Sequence, residues 1–336
     1  MTANVNNAVA DRGPSWFYPH LAPEYRDVLR TAVEQVPPNL PTLSAARQRK
    51  LHHANLRAIP DAMLELLDWE DLTVPGLDQD PPVPVRVYQP RRREVAEAPS
   101  LLYLHGGGMW TGSIAIEHAF AARLCVDLEA VVMSVDYRLA PEHPYPAGLR
   151  DCSAALTHLG GGLLPEIDPT RVAIFGTSAG GGLALATALR ARDESGPRAC
   201  VVMAIYPMID DDGATASSHQ VVDVGPVVWD RAANLQGWDW YLAGAEADGY
   251  AAPARAADLR DLPPVFMDVG ELDLFRDETL TFAGRLAAAG NPVELHLYPG
   301  AFHGCDAMLP DSPLSRRMYD VRTAVLRNHL RPRSVR

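Results

Sequence analysis

The spacing of apolar and polar residues changes twice along the chain. Residues 1–60 repeat at helical spacing, in APEYRDVLRTAVEQV (22–36) and SAARQRKLHHANLRAI (44–59), and show no strand pattern. Segments 69–76 (WEDLTVPG) and 83–90 (VPVRVYQP) alternate around turn-forming residues, which predicts a β-hairpin. The charged stretch 91–100 then reads as an exposed connection. From residue 100 onward, near-continuous apolar runs predict strands at 100–105, 130–138, 171–176, 200–207, 264–270 and 293–300. Most are separated by stretches of helical period, such as 117–128, 179–194 and 277–290. Strands apolar on both faces, alternating with helices, predict an α/β fold with a mostly parallel sheet covered on both sides. The connection 208–262 is too long for a simple crossover. Its helical stretch 225–244 predicts an excursion above the sheet.

Composition narrows the classes of partner. With 336 residues and 47 % hydrophobic content the chain can bury a substantial core. A formal net charge of −12 argues against nucleic acid or an anionic membrane as the main partner, since both select a basic surface. No apolar run reaches the roughly 20 residues that a membrane span needs. The N-terminal MTANVNNAVADRG has neither the basic start nor the apolar stretch of a signal peptide. Cys125, Cys152, Cys200 and Cys305 lack the spacing of a zinc site, and the first three lie among apolar neighbours. A cytoplasmic protein without metal or organic cofactor is the expectation.

In parallel sheets the carboxyl ends of the strands gather ligands, so the residues after each strand are the informative ones. After 171–175 comes Gly176-Thr177-Ser178-Ala179-Gly180, a GxSxG turn between strand and helix that can project a serine hydroxyl above the sheet. Alone, this could be a tight glycine turn. After 100–104 comes His105-Gly106-Gly107-Gly108, whose backbone N–H groups could stabilise an oxyanion together with that of Ala179. After 264–270 comes Glu271-Leu272-Asp273, and after 293–300 comes Ala301-Phe302-His303. A nucleophilic serine needs a histidine base and a carboxylate to orient it. Among the acids, Asp268 lies within its strand and points toward a helix layer, while Asp277 and Glu278 read as charges opening the next helix. Asp273 is the preferred carboxylate and Glu271 the second choice. The order Ser178, Asp273, His303 is the one expected of α/β-hydrolases.

These residues resemble the bacterial hormone-sensitive-lipase-like esterases of the α/β-hydrolase superfamily. The matching stretches are HGGG (105–108), DYRLAPEHPYPA (136–147), GTSAGGGLA (176–184), ELDLFRDE (271–278) and YPGAFHG (298–304). The resemblance implies an α/β-hydrolase fold, with a mostly parallel central sheet flanked by helices. It also implies a helical cap built from residues 1–60 and 210–250, with 61–336 as the catalytic domain. By motif it makes Ser178 the nucleophile, His303 the base and Asp273 its partner. Gly107, Gly108 and Ala179 would form the oxyanion hole, with Gly106 a further candidate donor. Met109 and Trp110 line the pocket or belong to the core. The implied substrate is a small carboxylic ester with a short to medium acyl chain. The threonine in GTSAG resembles the subgroup of that name, whose members are often homodimers. Two departures reshape the wall beside the site: Asp273-Leu274-Phe275 stands for the usual Asp-Pro-Leu, and His303-Gly304-Cys305 for His-Gly-Phe.

Two other readings compete. Peptidases or amidases share this fold and triad, but oligopeptidases of this kind usually carry a β-propeller for which the chain has no room. A non-catalytic binding protein is the other; the plant gibberellin receptors resemble this family but lack the histidine that this chain keeps as His303.

Overall fold

The strand β1 (Leu67–Val74) pairs antiparallel with β2 (Val83–Pro90), so the expected hairpin forms, with Trp69 opposite Tyr88. The computed structural model describes residues 13–35, 58–92, 97–161, 167–224 and 227–332. Beyond the hairpin run β3 (Ala98–Leu104), β4 (Val131–Val135), β5 (Ile167–Thr177), β6 (Val201–Ile205), β7 (Val265–Gly270) and β8 (Val293–Tyr298). They join the hairpin in one eight-stranded sheet of order β1-β2-β4-β3-β5-β6-β7-β8. From β4 to β8 every neighbouring pair is parallel.

Between the strands lie α4 (His118–Leu128), α5 (Ala147–Gly160), α6 (Ala179–Asp193) and α9 (Arg276–Ala288), and after β8 come α10 (Cys305–Met308) and α11 (Pro313–Leu330). Side chains alternate across a strand, and both faces of this sheet are covered. Leu102 and Leu104 of β3 join the core under α5, α6 and α9, whereas Leu101 and Tyr103 join the core under α4 and α11. That is why β3 is apolar at nearly every position and wholly buried.

β8 departs from the expectation of two covered faces. It is the last strand of the sheet, and Leu295 and Leu297 stay 37 % and 44 % exposed. A hydropathy run reports composition and not position in the sheet, so an edge strand and a central one look alike in sequence.

Two helical segments lie beside the carboxyl ends of the strands. In the N-terminal part, α1 (Gly13–His20) and α2 (Pro23–Gln35) bury Phe17, Leu21, Tyr25 and Leu29, a stripe four residues apart. The expected helix over 44–59 falls outside the described residues except for its last two positions. The short helix α3 (Asp61–Leu64) leads into β1. In the long connection after β6, α7 (Ala216–Gln220) and α8 (Arg231–Leu242) precede a 3₁₀ turn at Pro253–Arg255. Tyr18 Oη donates to the Val224 carbonyl at 3.0 Å and ties α1 to this excursion.

Candidate active site

Strand β5 ends at Thr177 and α6 begins at Ala179, so the whole turn is one residue, Ser178. Ser178 has φ 54° and ψ −117°, a backbone conformation that side-chain-bearing residues rarely adopt. Such strain persists only where the surroundings over-determine it. Here Ser178 N–H donates to the Ile205 carbonyl at 2.8 Å, and its own carbonyl accepts from Met208 N at 3.0 Å and Gly182 N at 3.1 Å. Gly180 permits the close approach of the end of β3 and the loop that follows it, because a Cβ there would overlap the carbonyls of Leu104 and His105.

The sheet order brings the ends of β5, β6, β7 and β8 together at this serine. His303 Nε2 lies 2.9 Å from Ser178 Oγ, and His303 Nδ1 lies 2.8 Å from Asp273 Oδ2. A carboxylate can only accept, so Nδ1 carries the proton and Nε2 is free to accept from the serine hydroxyl. The other Asp273 oxygen accepts from Phe275 N–H at 2.9 Å, which fixes the carboxylate plane. Asp273 has a fully buried side chain, and that of His303 is 9 % exposed. The imidazole is held edge to face between Tyr206, at 4.9 Å between centroids, and Phe275, at 5.0 Å. Phe275 belongs to one of the two departures from the family pattern, and it packs directly on the histidine.

The competing acids have other partners. Glu271 Oε2 accepts from Gly300 N–H at 3.0 Å and so braces the loop that carries His303. Asp268 faces inward, as expected, onto Arg322 of α11. Asp277 accepts from Ser217 N–H at 2.7 Å, linking α9 to α7. Glu278 departs from the simple reading as a helix-opening charge. It is buried and accepts from Ile209 N–H at 3.0 Å, and burial pushes its carboxyl well above the ordinary range. The first turn of a helix is a surface position only when nothing covers it; here the connection after β6 does.

The loop after β3 turns through two consecutive glycines of positive φ, Gly107 at 125° and Gly108 at 57°, and then Met109 at 67°. Among the described residues the N–H groups of Gly107, Gly108 and Ala179 have no hydrogen-bond partner. The N–H of Gly106 is different: it donates to Glu117 Oε1 at 3.0 Å. The segment 136–147, for which sequence reasoning found no catalytic role, braces this loop. Tyr137 stacks on His105 at 4.2 Å and donates to its carbonyl at 2.8 Å, while Ala140 N–H donates to the Met109 carbonyl at 3.0 Å. Arg138 and buried Asp151 pin the segment through a 2.7 Å ion pair.

The helical segments complete the surroundings. The Trp229 ring occupies the place where a Cβ on Gly108 would project. Trp110 lies beside Trp229 at 6.4 Å and meets Trp240 edge to face at 5.3 Å. Met109 and Trp110 are both nearly buried and belong to the core cluster. From the other side, Phe17 and Tyr25 meet Phe302, the neighbour of His303, edge to face at 6.1 Å and 5.5 Å.

Sequence reasoning did not find Glu117, Tyr206 or Trp229. Glu117 reads as the start of a helix, and Tyr206 as the end of an apolar run. Cys125, Cys152, Cys200 and Cys305 are all buried free thiols, and burial raises that of Cys305 to about 12. Among the described residues no cluster of His, Cys, Asp and Glu could hold a metal ion, and no helix is long and apolar enough to cross a membrane.

Comparison with known proteins shows the family to which the chain belongs. A family model described as the alpha/beta hydrolase fold matches residues 101–307. The carboxylesterase NlhH of Mycobacterium tuberculosis is 36 % identical over 296 residues, which cover 84 % of this chain and 89 % of that protein. The esterase LipI of the same species is 38 % identical over 228 residues, covering 66 % and 71 %. Among solved structures, a bacterial heroin esterase superposes with a TM-score of 0.85 at 34 % identity, over 94 % of this chain and 99 % of that one.

Proposed function

The chain belongs to the α/β-hydrolase fold family and is a carboxylic-ester hydrolase, and on that premise we propose that it works through an acyl-enzyme on Ser178. The observation that carries this reading is the imidazole of His303, which spans Ser178 Oγ at 2.9 Å and Asp273 Oδ2 at 2.8 Å. His303 Nε2 takes the hydroxyl proton as Oγ bonds to the ester carbonyl carbon. Buried Asp273 stabilises the imidazolium that forms and holds its tautomer. The negative oxygen of the tetrahedral intermediate receives the N–H groups of Gly107, Gly108 and Ala179. When the intermediate collapses, the C–O bond to the alcohol breaks and the imidazolium protonates the leaving oxygen. Water then repeats the sequence on the acyl-enzyme, releasing the carboxylic acid and restoring Ser178.

The free N–H groups of those three residues support the oxyanion assignment, and the glutamate bond of Gly106 argues against it as a fourth donor. Within the family we assign the chain to the hormone-sensitive-lipase-like esterases of the GTSAG subgroup, from its motifs. The helices α1, α2, α7 and α8 act as the cap. Trp229 against Gly108, backed by Met109 and Trp110, supports a shallow acyl pocket and so a preference for short to medium chains. The exposed Leu295 and Leu297 on the edge strand support a homodimer, which sedimentation of Leu297→Arg tests by loss of the dimer. Four buried free thiols are compatible with the reducing cytoplasm.

The deciding experiment is hydrolysis of p-nitrophenyl butyrate by the wild type and by Ser178→Ala, with fluorophosphonate labelling of Ser178. The substitution should abolish both turnover and labelling. Turnover unaffected by it would remove Ser178 from the mechanism, and an inert wild type would favour a binding role.

A further inference from the structure

Glu117 is the N-cap residue of α4, yet its side chain makes no capping bond to that helix. Acidic caps ordinarily accept from the free N–H groups of their own first turn. Instead the carboxylate reaches back eleven residues to the oxyanion loop. One oxygen, Oε1, accepts from Gly106 N–H at 3.0 Å, and the other, Oε2, accepts from Tyr103 Oη. Tyr103 is itself buried in β3, the strand that launches the loop, and it stacks on Phe175 of β5 at 5.6 Å. The carboxylate is therefore anchored to the sheet at one oxygen and to the loop at the other.

We propose that Glu117 is a positioning residue for the oxyanion loop, acting through Gly106 and held in place by Tyr103. The proposal rests on the assignment of Gly107, Gly108 and Ala179 as oxyanion donors. Three successive glycines leave a loop with many accessible backbone states, and preorganised donors are what make an oxyanion hole effective. A carboxylate accepting a backbone N–H forms one of the stronger hydrogen bonds available. By fixing the Gly106 peptide, Glu117 sets the direction in which the next two N–H groups leave the backbone. It also removes Gly106 N–H as a competing donor. Glu117 touches neither the ester nor the nucleophile, so its effect falls on the transition state and not on substrate binding.

The test compares Glu117→Ala, Glu117→Gln and Tyr103→Phe on p-nitrophenyl butyrate. Loss of a single oxyanion donor costs about 10²–10³ in kcat. Glu117→Ala, which only loosens the donors, should lower kcat about 10–100-fold and leave KM within about threefold. Inhibition by a trifluoromethyl ketone, which adopts the tetrahedral geometry on attack, should weaken in parallel. The amide oxygen of Glu117→Gln can still accept from Gly106, so this variant should recover most of the lost kcat. Tyr103→Phe should fall between the wild type and Glu117→Ala. An unchanged kcat in Glu117→Ala, a loss confined to KM, or a glutamine variant as slow as the alanine variant would each overturn the proposal. If Glu117→Ala does not fold, Tyr103→Phe decides: reduced kcat at constant KM supports it, and unchanged kcat overturns it. Fluorophosphonate labelling separates the two levels of inference. An unlabelled Ser178 in the wild type overturns the nucleophile assignment itself, whereas normal labelling with an unresponsive Glu117→Ala overturns only the role of Glu117.

Discussion

Replacing Arg322 with methionine should destabilise the protein by about 3–5 kcal/mol at neutral pH, the cost of removing one partner from a buried ionic cluster. The guanidinium is nearly solvent-free between two carboxylates. It donates from Nε to Asp268 Oδ2 at 2.6 Å and from Nη2 to Oδ1 at 3.2 Å, and it pairs with Asp306 through Nη1. Asp306 also accepts from Tyr206 Oη at 3.1 Å, so the cluster extends to the ring that packs on His303.

The two acids respond differently. Burial outweighs the arginine at Asp268, whose carboxyl lies above the ordinary range. At Asp306 burial also opposes ionisation, but Arg322 and the Tyr206 hydrogen bond outweigh it and hold the carboxyl low. In the wild type the Asp306 contribution is therefore present above its unfolded pKa of about 3.9 and is lost as pH falls through the depressed folded value. In the variant both acids lose their cation, and burial drives both folded values upward. Their favourable contribution is then present at low pH and lost as pH rises. The gap between wild type and variant should narrow from pH 8 to pH 5. Urea unfolding followed by tryptophan fluorescence at several pH values measures it. At roughly 2.1 cal/mol/K per residue, 3–5 kcal/mol corresponds to a fall in Tm of about 4–7 °C. A loss below about 1 kcal/mol, or a gap that does not change with pH, would refute the reasoning.

Other substitutions test the site more directly. Asp273→Asn should lower kcat by a factor on the order of 10⁴, as the equivalent change does in a serine protease, with the fold unchanged by circular dichroism. Turnover within tenfold of the wild type would remove Asp273 as the orienting acid. Glu278→Gln keeps an acceptor for Ile209 N–H but cannot ionise. Because the folded value of Glu278 is raised, its contribution is present below the unfolded pKa and is lost as pH rises. The glutamine variant should therefore gain in urea midpoint over the wild type between pH 5 and pH 8, and a difference constant with pH would contradict this. Gly108→Ala drives a methyl group into Trp229 and should lower kcat. Combined with Trp229→Ala it should recover part of that loss, whereas additive losses in a double-mutant cycle would show that the two do not meet.

Much of this architecture is legible in the sequence because period and punctuation are local signals. The runs that became β3 to β7 are apolar at successive residues, and glycine or a loop follows each. Ser178 and His303 could be found because each follows a strand-like run, β5 for the serine and β8 for the histidine. Asp273 could only be ranked against four neighbouring acids, since what selects it is the histidine, 30 residues on, that folding brings to its carboxylate. Glu117 and Gly106, Arg322 and Asp268, and Trp229 and Gly108 are pairings across elements. Periodicity specifies which face a residue occupies and not which residue it meets there. The exposure of Leu295 and Leu297 was hidden for a related reason: edge position is a property of strand order.

The attachment of α1 and α2 has a consequence for engineering. Phe17 and Tyr25 rest on Phe302, Ala22 N–H donates to the Gly300 carbonyl at 3.0 Å, and Tyr25 Oη joins Ser315 at 2.8 Å. The first described helices are thus part of the mounting of the histidine loop. Chimeras that graft the N-terminal region of one esterase onto the sheet of another exchange part of that mounting. They should change turnover for every substrate, not only the choice among substrates, unless the contacts to Phe302 and Gly300 are carried across with the graft.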